Sequence, residues 1–421
     1  MTVSRGKGFL AIATVGLACA LTSPAVADTS AEERTALSAA RRTGQPVELA
    51  DATGSHSRTV AEPGGTLTTT RSVHPERVRT PAGWVPVDTA LRSVPDIGVV
   101  PGAVALDLRL SAGGDQPLLR LADAGRSAEL RWPGRLPTPE LDGNTARYRQ
   151  ASPGVDVVAR VQADGVQLTV EAAEARSLRF GLTTTGVKVR DRDGVLEFVD
   201  GAGQAPFAAG TPWVRVPRGG AQQEAVRVKA AYAATADAVE VRVPDGLSGP
   251  VALELPFTGP KPNWTMVDAG FPTVPYWNSA GPAKVGTYDA GEHRLRSFFV
   301  FDTTGLKGRE IVSASVEGME NWAWSCVPKP VELWRTGPVG KTTNWDTQPE
   351  WQAKLATLSV AKGYNSTCPA GPVRFDVTGL VKEAAGQGLP MVTVGLRAAD
   401  ELDNHHWKRF ENNPTLTVTL R

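Results

Sequence analysis

The sequence predicts an all-β protein of sandwich type, built as two successive modules. Three observations carry that expectation. Short runs of alternating apolar and polar residues recur along most of the chain. Asp-Gly pairs sit between several of these runs at hairpin spacing. Glycine and proline number 43 and 32 of 421 residues, enough for many turns and short of a low-complexity composition. Hydrophobic residues make up 41% of the chain and charged residues 21%, which supports a packed core. The formal net charge of +1 leaves no electrostatic footprint for nucleic acid or an anionic membrane. Three cysteines and five histidines leave little room for a metal cluster.

Residues 1–27 read as a signal peptide. Arg5 and Lys7 form its charged start, and Phe9 to Ala20 form an apolar run too short to span a bilayer. Ala25-Val26-Ala27 is a small-residue cleavage site, so the mature chain is expected to start at Asp28, after Ala27. A lipoprotein reading of Cys19 is weaker, because Gly16-Leu17-Ala18 fits a lipobox poorly. No later stretch reaches the ~18 apolar residues a membrane span needs, and the chain ends directly after a strand-like run. The expected location is therefore extracellular, as a released protein. Residues 28–45 contain one short helix: Ser30 and Glu33 form a capping box, and Gly44 ends it.

Residues 46–258 form the first β module. Val104, Leu106, Leu108 and Leu110 alternate with polar or small residues. Val157–Val161 and Val166–Val170 flank Asp164-Gly165, and Val187–Arg190 and Val195–Val199 flank Asp193-Gly194. Val239–Val243 and Val251–Leu255 add two strands. Phe257 to Pro262 reads as a linker, and composition changes after it. Three tryptophans precede it and eight follow: Trp264, Trp277, Trp322, Trp324, Trp334, Trp345, Trp351 and Trp407. Residues 259–421 are the second β module, with one short helix expected within Asp376–Ala385. Cys326 and Cys368 are the two cysteines left after signal removal, and in an oxidising compartment they are expected to form one disulfide.

Several runs carry a family resemblance. They are Lys284-Val285-Gly286-Thr287-Tyr288, Arg296 to Asp302, Asn321 to Cys326, Asn344 to Pro349, Phe375 to Thr378 and Phe410 to Pro414. In this order they resemble the DNRLRE domains of secreted bacterial proteins, also described as carbohydrate-binding module family 96. The resemblance implies a C-terminal jelly-roll β-sandwich and a polysaccharide or cell-wall glycan as partner. Residues 46–258, through Gly83 to Asp88 and Pro153 to Val158, resemble the β-rich N-terminal part of large actinobacterial exported proteins carrying RHS repeats or laminin-G-like domains. Those relatives continue past the DNRLRE module, so a shortened copy or a free-standing binding protein is expected here.

Glycan recognition needs flat aromatic faces with polar groups at their rim. Aromatic residues in loops are the better candidates. Trp277 follows Pro275 and Tyr276, Trp345 lies in the turn-like Asn344–Pro349 segment, and Trp351 follows Pro349. Trp407 lies within the densest polar run, Asp400 to Arg409, and completes the candidate binding set. Trp322 and Trp324 share a strand face with Cys326 and are expected in the core around the disulfide. Asp400, Glu401, Asp403 and Asn404 are the oxygen-rich candidates for Ca²⁺, without the spacing of a known calcium loop. His405 and His406 point to opposite faces if extended, with no third zinc ligand evident.

Glycoside hydrolysis needs two carboxylates about 5–9.5 Å apart. Glu317 with Glu320, and Asp400 with Asp403, are close in sequence but lack a supporting motif. The leading expectation is a secreted, non-catalytic protein whose C-terminal β-sandwich binds polysaccharide. One alternative is the export and presentation portion of a larger surface or toxin-type architecture that docks protein. The other is a polysaccharide lyase or hydrolase.

Overall fold

The computed structural model describes residues 1–2, 30–192, 194–216, 226–259, 264–279 and 281–421. Residues 3–29, which hold most of the signal-peptide reading and its Ala27–Asp28 cleavage point, and the second half of the linker, residues 260–262, lie outside these residues. Among the described residues are 33 strands, two α-helices and one 3-10 turn, so the chain is all-β.

Residues 88–258 form a two-layer sandwich. Eight antiparallel strands, running from Asp88–Val94 to Ala238–Arg242, make one layer. Ten strands, including Val155–Gln162, Gly165–Ala172 and Val251–Thr258, make the other. Leu108, Leu121, Leu130 and Phe180 of the first layer share one buried cluster with Val157, Leu168, Leu253 and Phe257 of the second. Along strands such as Asp107–Leu110 and Gly165–Ala172 alternate residues face this core, which is why the alternation is legible.

The Asp164-Gly165 hairpin forms one residue out of the expected position. Gln162 pairs with Gly165, so Ala163 and Asp164 make the turn. Gly165 serves a different need: a Cβ there would meet the Phe257 carbonyl oxygen at 2.1 Å, so only glycine lets the neighbouring strand approach.

The second unit is a thirteen-stranded sheet folded into two layers. Phe299, Leu333 and Leu396 of one layer pack with Val316, Phe375 and Leu416 of the other. The strand Ala283–Thr287 joins them. Its start pairs with Lys408–Phe410 and its end with Arg294–Asp302. Gly286 makes the transition at φ +91, and a Cβ there would meet the His406 carbonyl oxygen at 2.8 Å. The expected helix is present as Thr378–Gln387, ended by Gly388. Cys326 and Cys368 are bonded, and the disulfide ties together the ends of two paired strands, Ile311–Ala323 and Gly371–Asp376.

This unit also contains the start of the chain. Leu67–Ser72 pairs along its whole length with the last strand, Thr415–Leu420, and Ser57–Ala61 pairs onto it in turn. The helix Ala31–Thr43, with its capping box formed, buries Ala36 and Ala40 against the same core as Leu67 and Leu420. Glu33 reaches Arg309 at 2.7 Å. A sequence boundary at residue 46 groups residues 46–74 with the first β module, whereas their hydrogen bonds complete the sheet of the second. Local pattern cannot show this, because the partner strand lies more than 300 residues away.

Candidate ligand-binding cleft

A cavity of about 250 Å³ lies between the two units. The first unit contributes Arg215 and Arg227, which are directly opposite one another on the paired strands Trp213–Val216 and Val226–Lys229. Like charges at such positions repel. Glu254 on the adjacent strand holds both, with Arg215 Nε at 3.1 Å and an Arg227 guanidinium nitrogen at 2.6 Å. Two cations on one carboxylate leave this wall positive.

The second unit supplies aromatic side chains. Tyr276 stacks on Trp213 with ring centroids 6.0 Å apart, and the Arg227 guanidinium lies 5.7 Å from the Tyr276 ring centre. Asp268, at the end of the strand Trp264–Asp268, accepts from the Gly270 N–H at 2.9 Å and pairs with His293 Nδ1 at 3.0 Å. His293 is thereby fixed between the rings of Phe271 and Tyr288, 5.0 and 5.2 Å away. Lys284 completes the lining. The cleft thus offers aromatic surface, three basic side chains and hydroxyl groups within one concavity.

The structure sorts the four candidate tryptophans into three environments. Trp277 is half-buried and lines a narrow extension of the cleft beside Trp213, Arg227 and Glu254. Trp407 is 1% exposed, which corrects its assignment as a binding residue. It packs edge-on behind Tyr288 at 5.2 Å and so supports a cleft ring from the core side. Trp345 and Trp351 lie away from the cleft, on the outer face of the layer whose inner face carries Leu295 and Leu396.

There they form a ladder with arginines. Arg296 lies 4.4 Å from the Trp345 ring and 5.4 Å from that of Trp351, and Arg397 lies 5.1 Å from Trp351 and 4.2 Å from Trp334. Glu401 clamps Arg296 at 2.8 and 2.6 Å, and Glu332 accepts from Arg397 Nε and Trp334 Nε1. Trp351 Nε1 donates to Gln348. Rings and rim donors of this ladder are engaged with one another and with protein carboxylates. Trp322 and Trp324 meet edge to face at 6.2 Å and are only half-buried, at the margin of the core and not inside it.

The calcium candidates do not converge. Asp400 accepts from the Leu402 N–H, Glu401 holds Arg296, and Asn404 accepts from the Ala290 N–H. Asp403 caps the short turn at Asn404–His406 and reaches Lys329 at 3.3 Å. Hydrogen bonds from the His405 N–H and ring hold the Asp403 carboxyl well below its usual range. Among the described residues, no group of three or more His, Cys, Asp or Glu is placed to hold a metal ion. The carboxylate pairs separate too: Glu317 bonds the exposed Arg374, while Glu320 is buried against Lys408.

Sequence reasoning missed Arg215 and Arg227, which lie in the other unit, and Phe271 and Tyr288. The one available signal was Tyr276, adjacent to the chosen Trp277. Among the described residues no helix is long and apolar enough to cross a membrane.

No protein-family model matches the chain, and no curated protein matches it. Solved structures do. One is a β-porphyranase of glycoside hydrolase family 86 from the human gut bacterium Bacteroides plebeius: 11% identity over 65% of this chain and 38% of that one, TM-score 0.19. Another is BuGH86 in complex with neoagarooctaose, at 12% identity over 64% and 34%, TM-score 0.17. A third is AerE from Microcystis aeruginosa, at 8% identity over 68% and 97%, TM-score 0.15. This chain spans 38% and 34% of the two glycoside hydrolase chains. The expectation of a non-catalytic protein is corrected here: the first structures it matches are glycoside hydrolases, and lack of catalysis is no longer assigned. At these TM-scores no residue role or reaction transfers from them.

Proposed function

We propose that this is an exported polysaccharide-binding protein whose ligand lies in the cleft between the two β units. The observation that carries the reading is the meeting of Phe271, Tyr276 and Tyr288 with Arg215, Arg227 and Lys284 in one cavity. Sugar rings stack their C–H faces on aromatic surface, and cations and hydroxyls orient the hydroxyl or acidic substituents. The resemblance of residues 259–421 to DNRLRE carbohydrate-binding modules supports the same partner class. The test is a polysaccharide array probed with the mature chain, residues 28–421. Selective binding is expected, lost in Tyr288→Ala and Arg227→Gln and retained in Trp345→Ala. Wild-type binding by the first two variants would overturn the site. Silence across the array would favour docking of protein.

A second reading, cleavage of the same chain, rests on Asp268 and His293. A carboxylate on Nδ1 orients an imidazole as a proton acceptor at its other nitrogen, and this ring sits between two cleft side chains. New reducing ends or unsaturated uronates released by the wild type and not by His293→Gln would establish it. Products formed equally by both would exclude this histidine.

A further inference from the structure

The edge of the ten-stranded sheet carries a cluster of cations outside the cleft lining. Among the described residues its last strand, Lys188–Arg192, pairs only with Val195–Val199. Residues directly opposite one another share a face. Arg190 stands opposite Glu197 and Arg192 opposite Val195, so all four project on the outer side, while Leu196 and Phe198 turn into the core. Glu197 is 5% exposed. Arg190 reaches it at 2.7 Å and Arg192 at 3.6 Å. A third cation comes from the second unit: Lys341 donates to the same carboxylate at 2.9 Å. Lys229 is exposed and extends over the turn between the two edge strands, its Nζ 3.5 Å from where a Cβ on Gly194 would stand.

Four cations thus gather around one buried carboxylate in a chain whose formal net charge is only +1. Asp191 stands opposite Leu196, on the other face, and accepts from the Gly194 N–H at 3.0 Å. Charged residues commonly guard a sheet edge. Guarding needs no residue from another unit, yet Lys341 crosses the junction to join this cluster. Arg190, Arg192 and Lys341 keep 46%, 59% and 34% of their side chains exposed, within reach of a ligand. They come from two strand positions and a loop of the other unit. Donors arriving from separate backbone positions suit a tetrahedral oxyanion, with three terminal oxygens, better than a flat carboxylate. Val195 and Lys341 also line the narrow extension of the cleft, together with Trp277 and Arg227.

We infer that Arg190, Arg192, Lys229 and Lys341 bind a sulfate or phosphate ester carried on a polysaccharide, at the rim of that extension. The inference rests on the proposed polysaccharide partner and adds its charge: the chain bears tetrahedral ester groups, one of which sits across the junction of the two units.

The test measures binding of the mature chain to dextran, dextran sulfate, dextran phosphate and polygalacturonate, at about 50 and 300 mM salt. An ester polymer is expected to bind, more weakly at the higher salt, and plain dextran is not. The tighter of the two esters identifies the oxyanion. Arg192→Gln combined with Lys229→Gln leaves Arg190 and Lys341 on Glu197 and should preserve Tm. It should weaken the ester polymer about tenfold, the loss of two exposed ion pairs. Arg374→Gln, the same kind of charge change at a 69% exposed side chain of the second unit, should leave binding unchanged. The ester site is overturned if neither ester polymer binds, if polygalacturonate binds as tightly as the esters, or if Arg374→Gln weakens binding as much as the double variant. Ester binding lost in Tyr288→Ala and unchanged in the double variant would keep the cleft and remove this site.

Discussion

Trp213 and Tyr276 stack across the junction of the two β units, with ring centroids 6.0 Å apart and planes 11° from parallel. The strand that carries Trp213 serves two cores at once. Trp213 belongs to the apolar cluster of the second unit, while Val214, the next residue, is buried in the first. Alternation along one strand therefore docks the units, and the docking brings Arg215 and Arg227 opposite Tyr276 and Tyr288. The cleft is a product of this junction; neither unit contains it alone.

Trp213→Ala should consequently act on both stability and recognition. Removing a buried tryptophan costs about 3–5 kcal/mol, and here the loss falls on the junction. Calorimetry should show the unfolding of the two units separating into two transitions, with glycan affinity reduced in parallel. One transition at the wild-type temperature would contradict the role assigned to this ring.

The N-terminal segment makes a second, independent demand. A fragment of residues 259–421 lacks Leu67–Ser72 and so exposes Thr415–Leu420 as an unpaired edge, the kind of edge that recruits other chains. The fragment is expected to elute as soluble aggregates in size-exclusion chromatography. Residues 30–75 supplied at its N-terminus through a flexible linker should return it to a monomer. A monomeric, cooperatively folded fragment would show that the added strands are dispensable.

These two cases mark what the sequence discloses. The alternation of Leu106, Leu108 and Leu110, the capping box at Ser30 and Glu33, and the Cys326–Cys368 pair are local or compositional signals, and all are realised. The pairing of Leu67–Ser72 with the final strand and the meeting of Arg227 with Tyr276 are long-range events with no local signature. Trp407 shows the same limit from the other side. A polar run around it resembled a surface loop, yet the chain turns its ring inward beneath Tyr288. The Asp164-Gly165 pair predicts Gly165 in a turn, whereas in the structure it admits the neighbouring strand.

A buried histidine–carboxylate contact links the N-terminal segment to the first unit and makes acid sensitivity predictable. His74 Nδ1 lies 3.1 Å from the Asp164 carboxylate, and the His74 N–H donates to Asn413 at 2.6 Å. Burial alone raises the Asp164 carboxyl, but the His74 charge and hydrogen bond outweigh it, and the net direction is downward. A carboxyl lowered on folding adds stability above its unfolded value of about 3.9 and loses it as pH falls through the folded value. Asp164→Asn should therefore lower Tm at pH 5, with the gap to wild type closing below about pH 4. A gap that stays constant down to pH 2 would mean the carboxylate charge is not the stabilising feature.

Glu320 and Lys408 are 0% and 1% exposed in side chain and 3.2 Å apart within the second unit. Burial raises the glutamate carboxyl and lowers the lysine ammonium, each offset only in part by the other charge. Both shifts favour the neutral forms, so the site resists the charges it contains. A Lys362 backbone hydrogen bond also favours the carboxylate, and Lys408 donates to the Val360 carbonyl at 2.5 Å, but burial outweighs these contacts for both groups. Removing one partner strands a buried charge, whereas removing both relieves the desolvation of both. Lys408→Met alone should cost about 3–5 kcal/mol in urea unfolding, while Glu320→Leu combined with Lys408→Met should come close to wild type. If the double variant loses as much as the two single variants together, the pair contributes net stability, and the desolvation argument for this site fails.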